Sequence, residues 1–196
     1  MRTDGWLAYD DLAWTESIIA PPAEYAAETE FYTRLIKENS RIEVKTLLHL
    51  GSGAGGNDHT FKRHFRVTGV DISPRMLAIA RAANPEVAYV QGDMRDVDLG
   101  ETFDAVAIPD SIEYMATLPD LRAAINTACR HLKPGGVLLI TAGISEEFRN
   151  NNFAYSGSRD GIELTVFENN YILPSDPTKY EATFVYLIRR RGELSI

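Results

Sequence analysis

With 196 residues, 44% of them hydrophobic and 24% charged, the chain has the composition of one globular domain large enough to bury a two- or three-layer core. A formal net charge of −8 and a pI near 5.0 argue against nucleic acid as partner, since phosphate neutralisation needs a basic face and Arg189, Arg190 and Arg191 form the only basic cluster. No stretch approaches the ~20 apolar residues of a membrane span, and none at the N-terminus has signal-peptide character, so the expectation is a cytoplasmic chain with no membrane partner.

Residues 28–40 have helical spacing with Phe31, Leu35 and Ile36 on one face. Residues 46–50 follow as an apolar strand, residues 57–65 as a short helix and residues 67–71 as a second strand. Ser73 and Pro74 are a cap and a first-turn proline, which predicts a helix over 74–83. A third strand is expected at 87–91, a fourth at 103–109, a long helix at 118–132, and a fifth strand at 137–142 after the turn Lys133-Pro134-Gly135-Gly136. The single cysteine, Cys129, cannot form an internal disulfide and is expected as a buried thiol of the long helix. The four histidines lack metal-ligand spacing, so no metal is expected.

Alternating apolar strands and helices predict an α/β fold, a doubly wound Rossmann-like parallel sheet covered on both faces. After residue 142 the rhythm changes. Residues 150–161 look polar and loop-like, and residues 162–173 and 179–190 alternate apolar and polar around Pro174-Ser175-Asp176-Pro177, as an appended antiparallel hairpin would. Such a hairpin needs cover for its apolar face, so it is expected to wall a substrate pocket or to carry a homodimer contact.

The segment Gly51-Ser52-Gly53-Ala54-Gly55-Gly56 at the end of the first strand, with Asp71 ending the second, has the form of a nucleoside-cofactor site. Glycines allow a tight turn and close approach to a ligand, and the acid can accept from both hydroxyls of a ribose. The same spacing fits a nicotinamide dinucleotide, but none of the nine tyrosines is followed four residues later by lysine, the catalytic pairing of short-chain dehydrogenases.

Five motifs in order, LGSGAGG, VDISPRML, QGDMRD, FDAVAIPDSIEYM and LKPGGVLLI, resemble the class I S-adenosylmethionine-dependent methyltransferases, in particular small-molecule enzymes with a type 11 or type 25 core. The resemblance covers most of residues 47–140. It implies S-adenosylmethionine as cofactor and methyl transfer to N or O of a small molecule; the alternatives are a non-catalytic cofactor-binding or interaction module and an NAD(P)-dependent oxidoreductase. Carried over by motif, Gly51, Ser52 and Gly53 would lie against the methionine part, Asp71 would hold the ribose, and Ile72 and Met76 would face the adenine. Asp93 would accept from the adenine amine, with Met94 stacked beside it and Arg95 nearby. Pro109, Asp110 and Ser111 would stand beside the sulfonium and acceptor, and Asp110, Glu113 and Tyr114 are the candidates for a base.

Residues 1–27, with Tyr9, Trp14 and Tyr25, resemble the lid of such enzymes, and residues 28–142 their core, within one domain spanning 1–196. Two departures stand out. His49 occupies the position, two before the first glycine, where the family usually has a carboxylate. No closing helix and final antiparallel strands are seen in residues 143–196, which look like a strand insertion, as if the remainder were absent or the hairpin replaced it.

Overall fold

In the computed structural model, residues 6–143 and 147–196 are described; residues 1–5 of the lid-like segment and 144–146 of the C-terminal region lie outside them. The chain forms two compact units, residues 1–142 and 143–196.

In the first unit, turns of 3-10 helix at Leu7–Tyr9 and Ala13–Thr15 and a short helix α1 (Glu16–Ile19) lead into α2 (Pro22–Asn39). Then come β1 (Thr46–Leu50), α3 (Asp58–Phe61), β2 (Arg66–Asp71), α4 (Pro74–Ala83), β3 (Ala88–Gln91), β4 (Phe103–Ile108), α5 (Leu118–Arg130) and β5 (Leu132–Ile140). All five strands pair in parallel in the order β3-β2-β1-β4-β5. The chain winds outward from β1 through β2 to β3, then returns to place β4 on the other side of β1. The order therefore reverses between β1 and β4, where such sheets bind ligands at the strands' carboxyl ends.

Alternation along β1 sorts the core. Leu47 joins Tyr32, Ile36, Phe61, Phe65 and Val67 on one face, while Leu48 and Leu50 join Val70, Val106, Ile108, Ala124 and Ala128 on the other. Full burial of such side chains is worth roughly 1.5–3 kcal/mol each. Ser73 caps α4 as expected, its hydroxyl accepting from the N–H of Met76 at 3.1 Å. Thr117 caps α5 in the same way through Asp120.

Three local expectations are corrected. The buried face of α2 is Thr29, Tyr32, Thr33 and Ile36, at the i, i+3, i+4, i+7 spacing, and Phe31 is 45% exposed. Cys129 is exposed, because α5 buries Ala124, Thr127 and Ala128 and the next residue turns about 100° away from that face. β5 begins at Leu132 rather than after the glycine pair, which is absorbed by a register shift against β4.

The second unit is a four-stranded antiparallel sheet, β6 (Asn151–Arg159), β7 (Ile162–Leu173), β8 (Asp176–Arg190) and β9 (Glu193–Ser195), in that order. It is thus larger than a hairpin. The stretch expected as a loop, residues 150–161, is mostly strand β6, whose Asn, Ser and Gly residues hide it from a hydrophobicity pattern. Asp160 and Gly161, with φ of 52° and 76°, make the two-residue connection whose left-handed backbone matches the twist of paired strands. Arg191 and Gly192 repeat it between β8 and β9.

Candidate functional site

The end of β1 turns sharply into the glycine segment. Gly51 and Ser52 both donate to the carbonyl of Val70 in β2, at 2.8 and 2.9 Å, which ties the loop to the neighbouring strand. Gly51 has φ +74°, and a Cβ there would lie 2.2 Å from Oγ of Ser111 and 3.0 Å from Cε of Met94. Only glycine fits. The turn thereby brings together three expected residues, Gly51, Met94 and Ser111, from three separate loops. Ser111 is further held by donation to the carbonyl of Leu50 at 3.1 Å.

Asp71 ends β2 beside this loop. Its Oδ2 accepts from the N–H of Gly53 and its Oδ1 from the N–H of Ser73, both at 2.8 Å. Burial pushes its carboxyl up, against the backbone N–H groups of Ser73, Gly53 and Ile72 and against His49, which pull it down. A carboxylate offers about four lone-pair directions, so acceptor capacity remains for a ribose hydroxyl. Ile72 follows it, 47% exposed, whereas Met76 is only 2% exposed and packs into the protein. Ile72 is left open beside Asp71, and Met94, half-buried, approaches the loop at Gly51.

Asp93 is clamped by Arg95, whose Nε lies 3.0 Å from each carboxylate oxygen, and Arg95 reaches on to Asp120 at 2.9 Å. This hydrogen bonding holds the Asp93 carboxyl below the usual range. Arg95 is thus a brace between the β3 exit and α5, and what it does at the site is to orient Asp93.

At the exit of β4, Pro109 is buried and Asp110 adopts φ 55°. Thr141 at the end of β5 closes around Asp110, accepting from its N–H at 2.8 Å and donating to Oδ1 at 2.9 Å. Desolvation, then the charges of Glu28 and Glu113, raises the Asp110 carboxyl against the Thr141 hydrogen bond. Tyr25 and Tyr32 of α2 both feel Asp110, and desolvation holds both hydroxyls well above the usual phenol range. A group of carboxylates and phenols therefore gathers around Asp110 at the exit of β4.

The N-terminal segment borders the same end of the sheet. The Trp6 ring packs on Tyr114 with centroids 4.8 Å apart, and the Tyr9 and Tyr114 hydroxyls meet. Ser73 donates to the carbonyl of Tyr9 at 2.5 Å, and Arg75 of α4 pairs with Asp10 and Asp11. The Tyr25 ring lies against Gly56 while its hydroxyl donates to Glu16 at 2.8 Å.

His49 does not face the loop as a free ring. It is buried, with Nδ1 2.7 Å from Oδ1 of Asp58, itself fully buried. Asp58, Tyr89 and Asn84 form a polar network that motif reading missed, because its members lie on α3, β3 and the end of α4. Among the described residues, no group of three or more His, Cys, Asp or Glu could hold a metal ion, and no helix is long and apolar enough to cross a membrane.

Residues 47–136 match the family described as a methyltransferase domain. The chain is 36% identical over 119 residues to the dTDP-3-amino-3,4,6-trideoxy-alpha-D-glucopyranose N,N-dimethyltransferase of Streptomyces venezuelae, covering 60% of this chain and 50% of that one. Over this core the chain resembles the class I S-adenosylmethionine-dependent methyltransferases. It is also 37% identical over 120 residues to a dTDP-4-amino-2,3,4,6-tetradeoxy-D-glucose N,N-dimethyltransferase of Saccharopolyspora spinosa, covering 60% of this chain and 47% of the relative. Among solved structures it resembles the sugar N-methyltransferase KedS8 of Streptoalloteichus, with TM-score 0.81 and 28% identity over 94% of this chain and 73% of that one. The chain spans about half the length of the curated relatives it matches.

S-adenosylmethionine is the cofactor that this resemblance implies, and the residues present fit it. The fit is seen in the Gly51 turn that no Cβ could enter, in the Asp71 carboxylate beside it, and in the buried Ser52 hydroxyl, which has no hydrogen-bond partner among the described residues.

Proposed function

We propose that the chain carries out S-adenosylmethionine-dependent methylation of a small-molecule amine, with an amino sugar linked to a nucleotide as the substrate class. The observation that carries the reading is the juxtaposition of the Gly51–Asp71 loop pair with the acid-rich exit of β4 around Asp110. The named relatives, which methylate sugar amines, support the same substrate class.

In this reading Gly51, Ser52 and Gly53 line the methionine part of the cofactor, Asp71 holds its ribose, and Ile72 and Met94 flank the adenine. Asp93, oriented by Arg95, accepts from the adenine amine. Met76 supports that wall from behind. When bound, the cofactor supplies an electrophilic methyl group on a positively charged sulfur. The protein's part is to position the acceptor in line and to exclude water, for which no enzyme nucleophile is required. Pro109 sets the direction of the β4 exit, and Asp110, with its raised carboxyl, takes the proton from the acceptor amine. Glu113 and Tyr114 lie one turn further on, and Tyr114 serves the aromatic closure formed with Trp6 and Tyr9.

The test is incubation of the chain with S-adenosylmethionine and a panel of dTDP-amino sugars, reading homocysteine-linked turnover and product mass. Methylated amine is expected, with Asp110→Asn lowering turnover at least tenfold while cofactor affinity stays within about twofold. Cofactor binding without turnover of any acceptor would favour a non-catalytic binding module. A second copy of the chain is proposed to cover one face of the antiparallel sheet. The register sets Phe153 and Phe184 opposite Glu168, and Tyr155 and Tyr186 opposite Val166, so these aromatic rings share a face.

A further inference from the structure

Where β4 and β5 end side by side, the parallel ladder gives way to a side chain. Ile108 pairs with Ile140, and the N–H of Thr141 still donates to the carbonyl of Ile108 at 3.3 Å. Pro109, fixed in φ and without an N–H, then turns the chain out of the sheet. The next N–H, that of Asp110, donates to Oγ1 of Thr141 at 2.8 Å, and the same hydroxyl donates to Oδ1 of Asp110 at 2.9 Å. One threonine thus grips both the backbone and the side chain of one aspartate. Being branched at Cβ, Thr141 is stiff at χ1, so its hydroxyl is placed by the backbone of the strand it follows.

The backbone of Asp110 is equally constrained. Its φ of 55° and ψ of −31° lie where residues other than glycine are uncommon. Across it the N–H of Ser111 donates to the carbonyl of Pro109 at 2.6 Å, closing a three-residue turn of the rarer hand. The carbonyl of Asp110 accepts from the N–H of Glu113 at 3.2 Å. Such a conformation persists only where the surroundings over-determine it, and Thr141 ties it to the neighbouring strand. With the N–H, the carbonyl and Oδ1 engaged, Oδ2 is left over: among the described residues it takes part in no hydrogen bond. A carboxylate held at one oxygen has its other oxygen aimed, because both χ angles are then set.

We propose that Thr141 is a positioning residue of the acceptor site, which by holding Oδ1 presents Oδ2 of Asp110 as the atom that takes the acceptor's proton. The inference rests on the assignment of Asp110 as the base. As the amine nitrogen gains the methyl group, the carbon–sulfur bond breaks with its electron pair left on sulfur, and the N–H proton leaves nitrogen for Oδ2. Thr141 acts only through Asp110.

The groups that act on Asp110 are His49 from β1, Glu28, Tyr25 and Tyr32 from α2, and Glu113 from the turn that follows it. Desolvation and the acids raise its carboxyl, while the Thr141 hydrogen bond and His49 lower it. Removing that hydroxyl therefore moves the titration of Asp110 to higher pH.

Thr141→Val keeps the branched shape and loses both hydrogen bonds, and Thr141→Ser keeps the hydroxyl. The full chains are compared in two ways. Carboxyl carbon NMR, with the Asp110 signal identified by its loss in Asp110→Asn, follows the titration without substrate. It is expected to move up by about half a pH unit in Thr141→Val and to stay near the parent in Thr141→Ser. Steady-state kinetics with S-adenosylmethionine and the dTDP-amino sugar that the parent methylates should show kcat about tenfold lower in Thr141→Val, with KM within about twofold. Thr141→Ser should regain most of the loss. The same Asp110 titration in Thr141→Val and parent would overturn the proposal, as would an unchanged kcat or a loss in Thr141→Ser as deep as in Thr141→Val. If Thr141→Val does not fold, Thr141→Ala decides on the same two readings. A parent that methylates amines while Thr141→Val equals it overturns the positioning role alone; a parent that methylates no amine refutes the reading of Asp110, and this inference with it.

Discussion

The backbone N–H of Gly53 donates to Oδ2 of Asp71 at 2.8 Å, so the glycine loop after β1 and the last residue of β2 hold each other in place. The acid is thus both a ligand candidate and a strut. Removing it should release the loop as well as lose hydrogen bonds to the ribose.

Asp71→Ala is expected to weaken S-adenosylmethionine binding by on the order of 2 kcal/mol, about thirtyfold, as charge-assisted hydrogen bonds are lost. Asp93→Ala should lose less, because one contact to the adenine amine is at stake. Calorimetric titration of both variants checks the order, and equal affinity of Asp71→Ala and parent would refute the assigned role.

Gly51→Ala meets two obstacles together, a φ of +74° and a Cβ only 2.2 Å from the Ser111 hydroxyl. The expected destabilisation is about 1–3 kcal/mol, with cofactor binding lost outright because the loop must move to relieve the clash. Thermal unfolding with and without S-adenosylmethionine measures both; a parent-like ligand-induced shift in Tm would contradict the turn's role.

Asp104 gives the first unit a defined acid sensitivity. Burial opposes its charge, but Lys133 at 2.8 Å, the N–H groups of Lys45 and Thr46, and the Thr46 hydroxyl outweigh burial and hold its carboxyl well below the usual range. A carboxylate depressed on folding stabilises above its unfolded pKa of about 3.9, and that stabilisation is lost as pH falls through the folded value. Asp104→Asn is therefore expected to cost about 1–3 kcal/mol at neutral pH, with the gap to parent narrowing below about pH 4. Urea unfolding across that range reads the difference, which should stay constant if Asp104 gains nothing on folding.

Phe184→Glu tests the proposed dimer. Phe153 and Phe184 are 47% and 38% exposed on one face of the antiparallel sheet, and a charge there would repel a second copy while leaving the strand intact. Light scattering should show a dimer for the parent and a monomer for the variant; a monomeric parent would remove the proposal.

The amino-acid sequence by itself determined the features set by neighbours a few residues apart. Ser73 before Pro74 and Thr117 before Leu118 mark helix starts, because a cap is made within three residues. The order of strands and helices through β5, and the glycine loop with Asp71, followed from the same short-range chemistry. The face of α2 was hidden by its threonines and β6 by its asparagines, serines and glycine, since apolar periodicity is blind to polar residues that tertiary contacts bury or pair. Only the tertiary structure decided what His49 does. Asp58 is nine residues away and Tyr89 thirty-one residues beyond that, and no local rule joins them. They meet because parallel strands set residues far apart in the chain side by side, and a carboxylate buried there must take its donors from whatever those strands bring.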